Sequence, residues 1–264
     1  MDGTLVDKQS LVDENIFELI DYFYERGIYF FVASGRRYES IKKIFKNYKD
    51  KMGIIAENGT VITYKGEKIF IDGMDRDIAL KIVEELLKDK NSMVLISGED
   101  MGYTNSKILV EKISGSPFFY DVSYLEDLLS YDKEIVKLCV MNHVCNKYEY
   151  AEHIRQLFGD YVEVALSGNN CIDIMKKGTN KGTAIRHIQD ILNVKKSETM
   201  VFGDNYNDIE MFSEAGMPFV MKNAEEAVKK YAKYETEKTN DEGGVVYELK
   251  KYFSDFNEVK KWKL

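Results

Sequence analysis

The stretch that most limits the fold is residues 28–33, a near-continuous apolar run (Ile-Tyr-Phe-Phe-Val-Ala) that ends at Ser34-Gly35. A strand half exposed to water alternates polar and apolar side chains. A run apolar at nearly every position instead suits a strand buried on both faces, as in a parallel sheet flanked by helices. The surroundings agree. Upstream, Ile16, Leu19, Ile20 and Phe23 recur at helical spacing, with Gly27 as a stop signal. Downstream, Ile41, Ile44, Phe45 and Tyr48 mark a second helix, and residues 54–56 form a short apolar run ending at Glu57-Asn58-Gly59. This alternation predicts an open α/β sheet with its site at the C-terminal ends of the strands.

Residues 61–64 and 68–71, joined through Lys65-Gly66, read as a β-hairpin. The pattern changes at Asp72-Gly73. Ile78, Ile82, Val83 and Leu86 open a helix; strand-like runs at 93–97, 135–141, 161–166 and 171–175, with a helix near 148–158, then alternate on their own. That is enough for a separate α/β module. The prediction is a core made of residues 1–73 and 178–264, with residues 74–177 inserted as an α/β cap. The core resumes with a helix carrying Ala184, Ile185, Ile188 and Leu192, strands at 199–202 and 218–221, and short helices around Val228 and Leu249.

Composition excludes several classes of function. A chain of 264 residues, 44% hydrophobic and 31% charged, is an ordinary globular protein with ample material for a core. Its net charge of −8 argues against nucleic acid as a partner, because backbone binding needs a basic surface. No run has the length of a membrane span and no basic-then-apolar leader opens the chain, so no membrane partner and a cytoplasmic location are expected. Cys139, Cys145 and Cys171 are too few and too scattered for a disulfide framework. Cys139, His143 and Cys145 share one face of a period-2 strand, but no fourth ligand is evident, and the thiols are read as small buried hydrophobes.

Four stretches carry chemistry. Met1-Asp2-Gly3-Thr4-Leu5 is an acidic turn of the kind that follows a strand. Ser34-Gly35 brings a hydroxyl and backbone N–H groups to a strand-to-helix junction, where an anion can be cradled. Gly178-Thr179-Asn180-Lys181-Gly182 sets a lysine at a helix start, and Gly203-Asp204-Asn205-Tyr206-Asn207-Asp208 ends a strand in two carboxylates four residues apart. Two carboxylates with phosphate oxygens and water suit Mg²⁺.

Together these motifs resemble the haloacid dehalogenase-like phosphohydrolases, and the insert resembles that of their Cof-type sugar-phosphatase branch; the likeness covers essentially the whole chain. It implies an α/β fold, a Rossmann-like parallel-sheet core with the inserted cap, and Mg²⁺-dependent hydrolysis of small phosphorylated metabolites such as sugar phosphates. By this resemblance Asp2 is the general acid and base and a metal contact, Ser34, Gly35, Lys181 and Asn207 bind phosphate, and Asp204 and Asp208 complete the metal set. Asn58 and Asn223 border the pocket, and Tyr103, Tyr120 and Tyr124 are candidate pocket aromatics. Arg36 and Arg37 are read as solvating a helix start, and His143, His153 and His187 match no catalytic slot.

The family's opening motif is Asp-x-Asp-Gly-Thr, with the first Asp as nucleophile. Gly3-Thr4 fixes Asp2 as the second acid, so the nucleophile is expected just before Met1, at the end of a central strand that is also expected there. A start assigned too late explains both. The alternative is a catalytically inactive phospho-metabolite-binding pseudoenzyme; a phosphomutase would need a phosphoryl acceptor that no motif supplies.

Overall fold

The computed structural model describes residues 1–98, 101–113, 122–142, 144, 146–166 and 171–253. The chain opens with helix α1 (Asn15–Glu25), which buries Ile16, Leu19, Ile20 and Phe23 along one face and stops where Gly27 takes φ +68°. Each of those side chains contributes about 1.5–3 kcal/mol by leaving water. Strand β1 (Phe31–Ala33), helix α2 (Tyr38–Ile44) and strands β2 (Gly53–Ala56), β3 (Val61–Tyr64) and β4 (Glu67–Ile71) follow. They form a four-stranded sheet in the order β1-β2-β3-β4, parallel between β1 and β2 and antiparallel beyond. Lys65 and Gly66 both take positive φ, as a tight hairpin turn requires. β1 is shorter than the predicted 28–33 because its ladder begins at the Phe31–Gly53 pair, leaving Ile28 and Tyr29 exposed.

The middle of the chain builds a second sheet. It comprises helix α3 (Arg76–Leu86), strands β5 (Ser92–Gly98) and β6 (Gly102–Thr104), helix α4 (Lys107–Ile113), strands β7 (Val122–Tyr124) and β8 (Ile135–Asn142), helix α5 (Lys147–Phe158), and strands β9 (Val162–Leu166) and β10 (Cys171–Lys176). The six strands run β7-β6-β5-β8-β10-β9. Strand alternation gives this sheet two distinct faces. Val94, Ile96, Leu138, Val140, Ile172 and Ile174 pack with Ile82, Leu86 and Ile154 of α3 and α5. Leu95, Lys137, Cys139, Cys171 and Asp173 hold the intervening positions and are buried on the other side.

The last third contributes helix α6 (Lys181–Leu192), strand β11 (Met200–Gly203), helix α7 (Ile209–Ser213), strand β12 (Met217–Val220), helix α8 (Glu226–Lys229), strand β13 (Tyr234–Glu235) and helix α9 (Gly244–Tyr252). β11, β12 and β13 form a parallel three-stranded sheet. The predicted single open sheet is thus two ladders among the described residues. Residues 1–6 make isolated bridges, Asp2 to Val6 and Val6 to Val12, and no ladder joins β1 to β11 among the described residues. Among the described residues, no helix is long and apolar enough to cross a membrane.

Candidate active site

Residues 1–3, the turns after β1 and β11 and the start of α6 converge around a cleft of about 260 Å³, with the turn after β2 packed behind the first of these turns. Two of these turns are interlocked through backbone: Glu57 N–H donates to the Arg36 carbonyl at 3.0 Å and Asn58 N–H to the Ser34 carbonyl at 3.0 Å. Glu57, Asn58 and Gly59 all carry positive φ, an uncommon conformation for the first two. Ser34 is buried, and its Oγ accepts from Arg36 N–H at 3.1 Å. A side chain at Gly35 would press on the Asn58 amide.

Lys181 occupies the first turn of α6, which Asn180 and Thr183 cap reciprocally. Its ammonium donates to Asp208 Oδ1 at 2.6 Å, and both side chains are buried. The other oxygen of Asp208 accepts the N–H groups of Asp204 (2.9 Å) and Asn205 (3.1 Å), so this carboxylate ties the turn together. Burial alone would raise its pKa; the charge of Lys181, with these hydrogen bonds, holds it below the ordinary value.

Asp204 goes the other way. Burial, and then the charge of Asp208, push its carboxyl up, although Thr4 Oγ donates to it at 2.5 Å. Gly3 belongs here for a steric reason: its φ is +69°, and a Cβ would stand 2.2 Å from Asp204 Oδ2. The Met1 nitrogen donates to the Ala33 carbonyl at 3.0 Å. Asp2, half exposed, is gripped by Arg36 through Nε at 3.0 Å and through Nη2; Ser34 Oγ approaches it at 3.5 Å.

All seven predicted site residues therefore border the same cleft. Asn207 reaches it with its amide donating to Asn58 Oδ1 at 3.0 Å. Asn223 donates to the Gly3 carbonyl at 2.8 Å, outside the cleft lining. Tyr103 packs on Tyr131, Tyr124 is exposed and neither lines the cleft; Tyr120, His143 and Cys145 lie outside the described residues. Cys139 and Cys171 both border the cleft. His187 stacks on Phe70 and His153 is exposed.

The opposite wall comes from the six-stranded sheet and includes Ser97, Lys137 and Asp173. These were not among the predicted site residues. Their signal was a single charge inside an apolar strand, Lys137 within Ile-Val-Lys-Leu-Cys-Val and Asp173 within Cys-Ile-Asp-Ile-Met. Arg36 and Arg37, read as solvated, are both buried because carboxylates receive them: Asp2 for Arg36 and Glu57 for Arg37.

Among the described residues, no three His, Cys, Asp or Glu side chains are grouped to hold a metal ion. The oxygen donors that face the cleft nevertheless suit a hard cation, since Asp204 is an acid raised by burial and by a neighbouring carboxylate, a cost that such an ion would relieve.

Residues 1–249 match the model of the haloacid dehalogenase-like hydrolases. The chain is 28% identical over 264 residues to the 5-amino-6-(5-phospho-D-ribitylamino)uracil phosphatase YbjI of Escherichia coli, covering 98% of this chain and 97% of that one. It is 27% identical to the HMP-PP phosphatase of Yersinia enterocolitica, covering 85% and 82%. The crystal structure of SMU.1108c from Streptococcus mutans superposes with a TM-score of 0.87 at 28% identity, over 96% of this chain and 97% of that one.

Proposed function

The chain belongs to the haloacid dehalogenase-like hydrolases, with a Rossmann-like core and an inserted cap, and from that premise we propose that it is a Mg²⁺-dependent phosphomonoesterase of small phosphorylated metabolites. The observation that carries this reading is the buried Lys181–Asp208 pair beside the raised carboxyl of Asp204, facing Ser34 across one cleft. Sugar phosphates are the favoured substrate class, in keeping with a relative named for a phosphate on a ribityl chain. The cap comprises residues 74–177.

The roles follow from position. The attacking carboxylate is the one that the family motif places two residues ahead of Asp2. It forms an aspartyl-phosphate, which water then hydrolyses. Lys181 neutralises charge on the phosphoryl oxygens, while Ser34 Oγ, the backbone at Gly35 and the Asn207 amide orient them. Asp2 protonates the leaving oxygen and then takes a proton from water. Arg36 grips Asp2, and an incoming phosphate competes for that guanidinium. Mg²⁺ held by Asp2, Asp204 and Asp208 would supply further neutralising charge. Asp208, already accepting three hydrogen bonds, acts mainly by fixing Lys181 and the turn.

The test is phosphate release from a panel of sugar phosphates by this chain and by a version carrying an apolar strand ending in Asp before Met1. Release by the extended chain that stops with chelator supports the reading; no release from any substrate in the presence of Mg²⁺ refutes it. The Arg36 clamp on Asp2 favours a second reading, a phospho-metabolite-binding protein, for which both chains bind phosphate esters and neither turns them over.

A further inference from the structure

Lys137, the third residue of β8, has only 6% of its side chain exposed and crosses from the cap into the core. Its ammonium donates to the Gly35 carbonyl at 2.8 Å and pairs by charge with Glu57 Oε2 at 2.6 Å and, more distantly, Asp173 Oδ2 at 3.4 Å. Burial would lower its pKa, but the Asp173 and Glu57 carboxylates outweigh that and raise it. Lys137 is thus placed to hold protein rather than substrate.

What it holds is the phosphate loop. The Gly35 carbonyl belongs to the Ser34–Gly35 turn, which is locked by backbone bonds to the Glu57–Asn58 turn. A second line runs parallel to the first: Asn58 donates to cap Asp173 at 2.8 Å and accepts from Asn207 at 3.0 Å. A third is Arg37, whose Nη2 donates to the cap carbonyl of Gly98 at 3.1 Å while its Nε lies 3.5 Å from Glu57. Two cations and two carboxylates therefore meet across the joint with no net charge. Such buried pairs add little net stability, since desolvation offsets attraction. That is poor glue and a workable latch.

We propose that Lys137 is a positioning residue: when the cap closes, it grips the Gly35 carbonyl and Glu57 and sets the Ser34–Gly35 turn, while Asp173 acts through Asn58 to orient Asn207, so that phosphate binding and cap closure are coupled. The inference rests on the phosphate site proposed above. Its test is calorimetric titration of the full chain with inorganic phosphate in Mg²⁺. Lys137→Met should weaken binding roughly tenfold or more, within the usual range of coupling between sites. The double variant Lys137→Met with Glu57→Gln removes the stranded charge, so its thermal midpoint should recover towards the parent while phosphate affinity stays low. Recovery of both overturns the proposal, as does unchanged affinity in Lys137→Met. Absence of phosphate binding by the parent refutes the proposed phosphate site itself and the latch with it. Should the single variant fail to fold, hydrogen exchange in the parent decides. Phosphate should slow exchange in residues 34–37, 57–60 and 135–139 together, and protection confined to the core segments overturns the latch.

Discussion

On the core wall of the cleft, Lys181 meets Asp208 across 2.6 Å between α6 and the turn after β11; on the opposite wall, Lys137 meets Glu57 across 2.6 Å between the six-stranded sheet and the turn after β2. Both lysines are almost fully buried, and both distances are the same. The difference lies in what happens when the pair is broken. The core pair is fixed between α6 and the turn after β11, so loss of the lysine leaves a buried carboxylate held in place by two backbone N–H groups. By the latch proposed above, Glu57 and Asp173 regain water when the cap lifts. Equal geometry therefore predicts unequal energetics.

The largest effect expected is from Lys181→Met. It should cost about 3–5 kcal/mol of stability, the usual penalty for stranding one partner of a buried pair, and abolish phosphate binding. Lys137→Met should cost clearly less in the same denaturant titration, and equal losses would break the contrast. Next come two glycines. A methyl at Gly182 would stand 2.6 Å from the Glu210 backbone carbonyl, between α6 and α7, whereas one at Gly73 would meet the side chain of Glu134, an exposed residue able to swing away. Gly182→Ala should lose about 1–3 kcal/mol as an overpacked contact, and Gly73→Ala under about 0.5 kcal/mol as a surface change.

The smallest effect concerns pH. Because the Asp204 carboxyl is held above its ordinary value, the unfolded chain gives up that proton more readily, and Asp204 costs stability at neutral pH. The cost fades as pH falls through its folded pKa. Asp208, held below its ordinary value, contributes stability that is lost only as pH falls further, through its own folded pKa. In chelator, Asp204→Asn should therefore melt roughly 2 °C or more above the parent at pH 7, with the gap closing as the solution is acidified. A gap that widens on acidification would reverse the assignment.

The same contrast explains what could be read in the sequence. The core side chains lie in contiguous turns after strands, so Asp204, Asn207 and Asp208 are legible as one motif, and Lys181 is flanked by Gly182 at a helix start. The cap wall is discontinuous. Lys137 and Asp173 belong to strands β8 and β10, and register pairs Asp173 with Cys139, a neighbour set only by long-range folding. A charge there reads as a solvated face until its partner is known. Arg36 and Arg37 were misjudged for the same reason, since their carboxylates come from Asp2 and Glu57 rather than from the adjacent helix. Strands β6, β7 and β13, of three, three and two residues, are too short to display a period.

The three oxygens around Lys137 have a consequence for chemical reactivity. An amine is acylated through its unprotonated lone pair, and this one is charged and buried. By the latch proposed above, lifting the cap restores an ordinary surface lysine. Covalent labelling of that one side chain, measured against the exposed lysines as an internal clock, thus records how often the cleft opens, with no foreign probe attached.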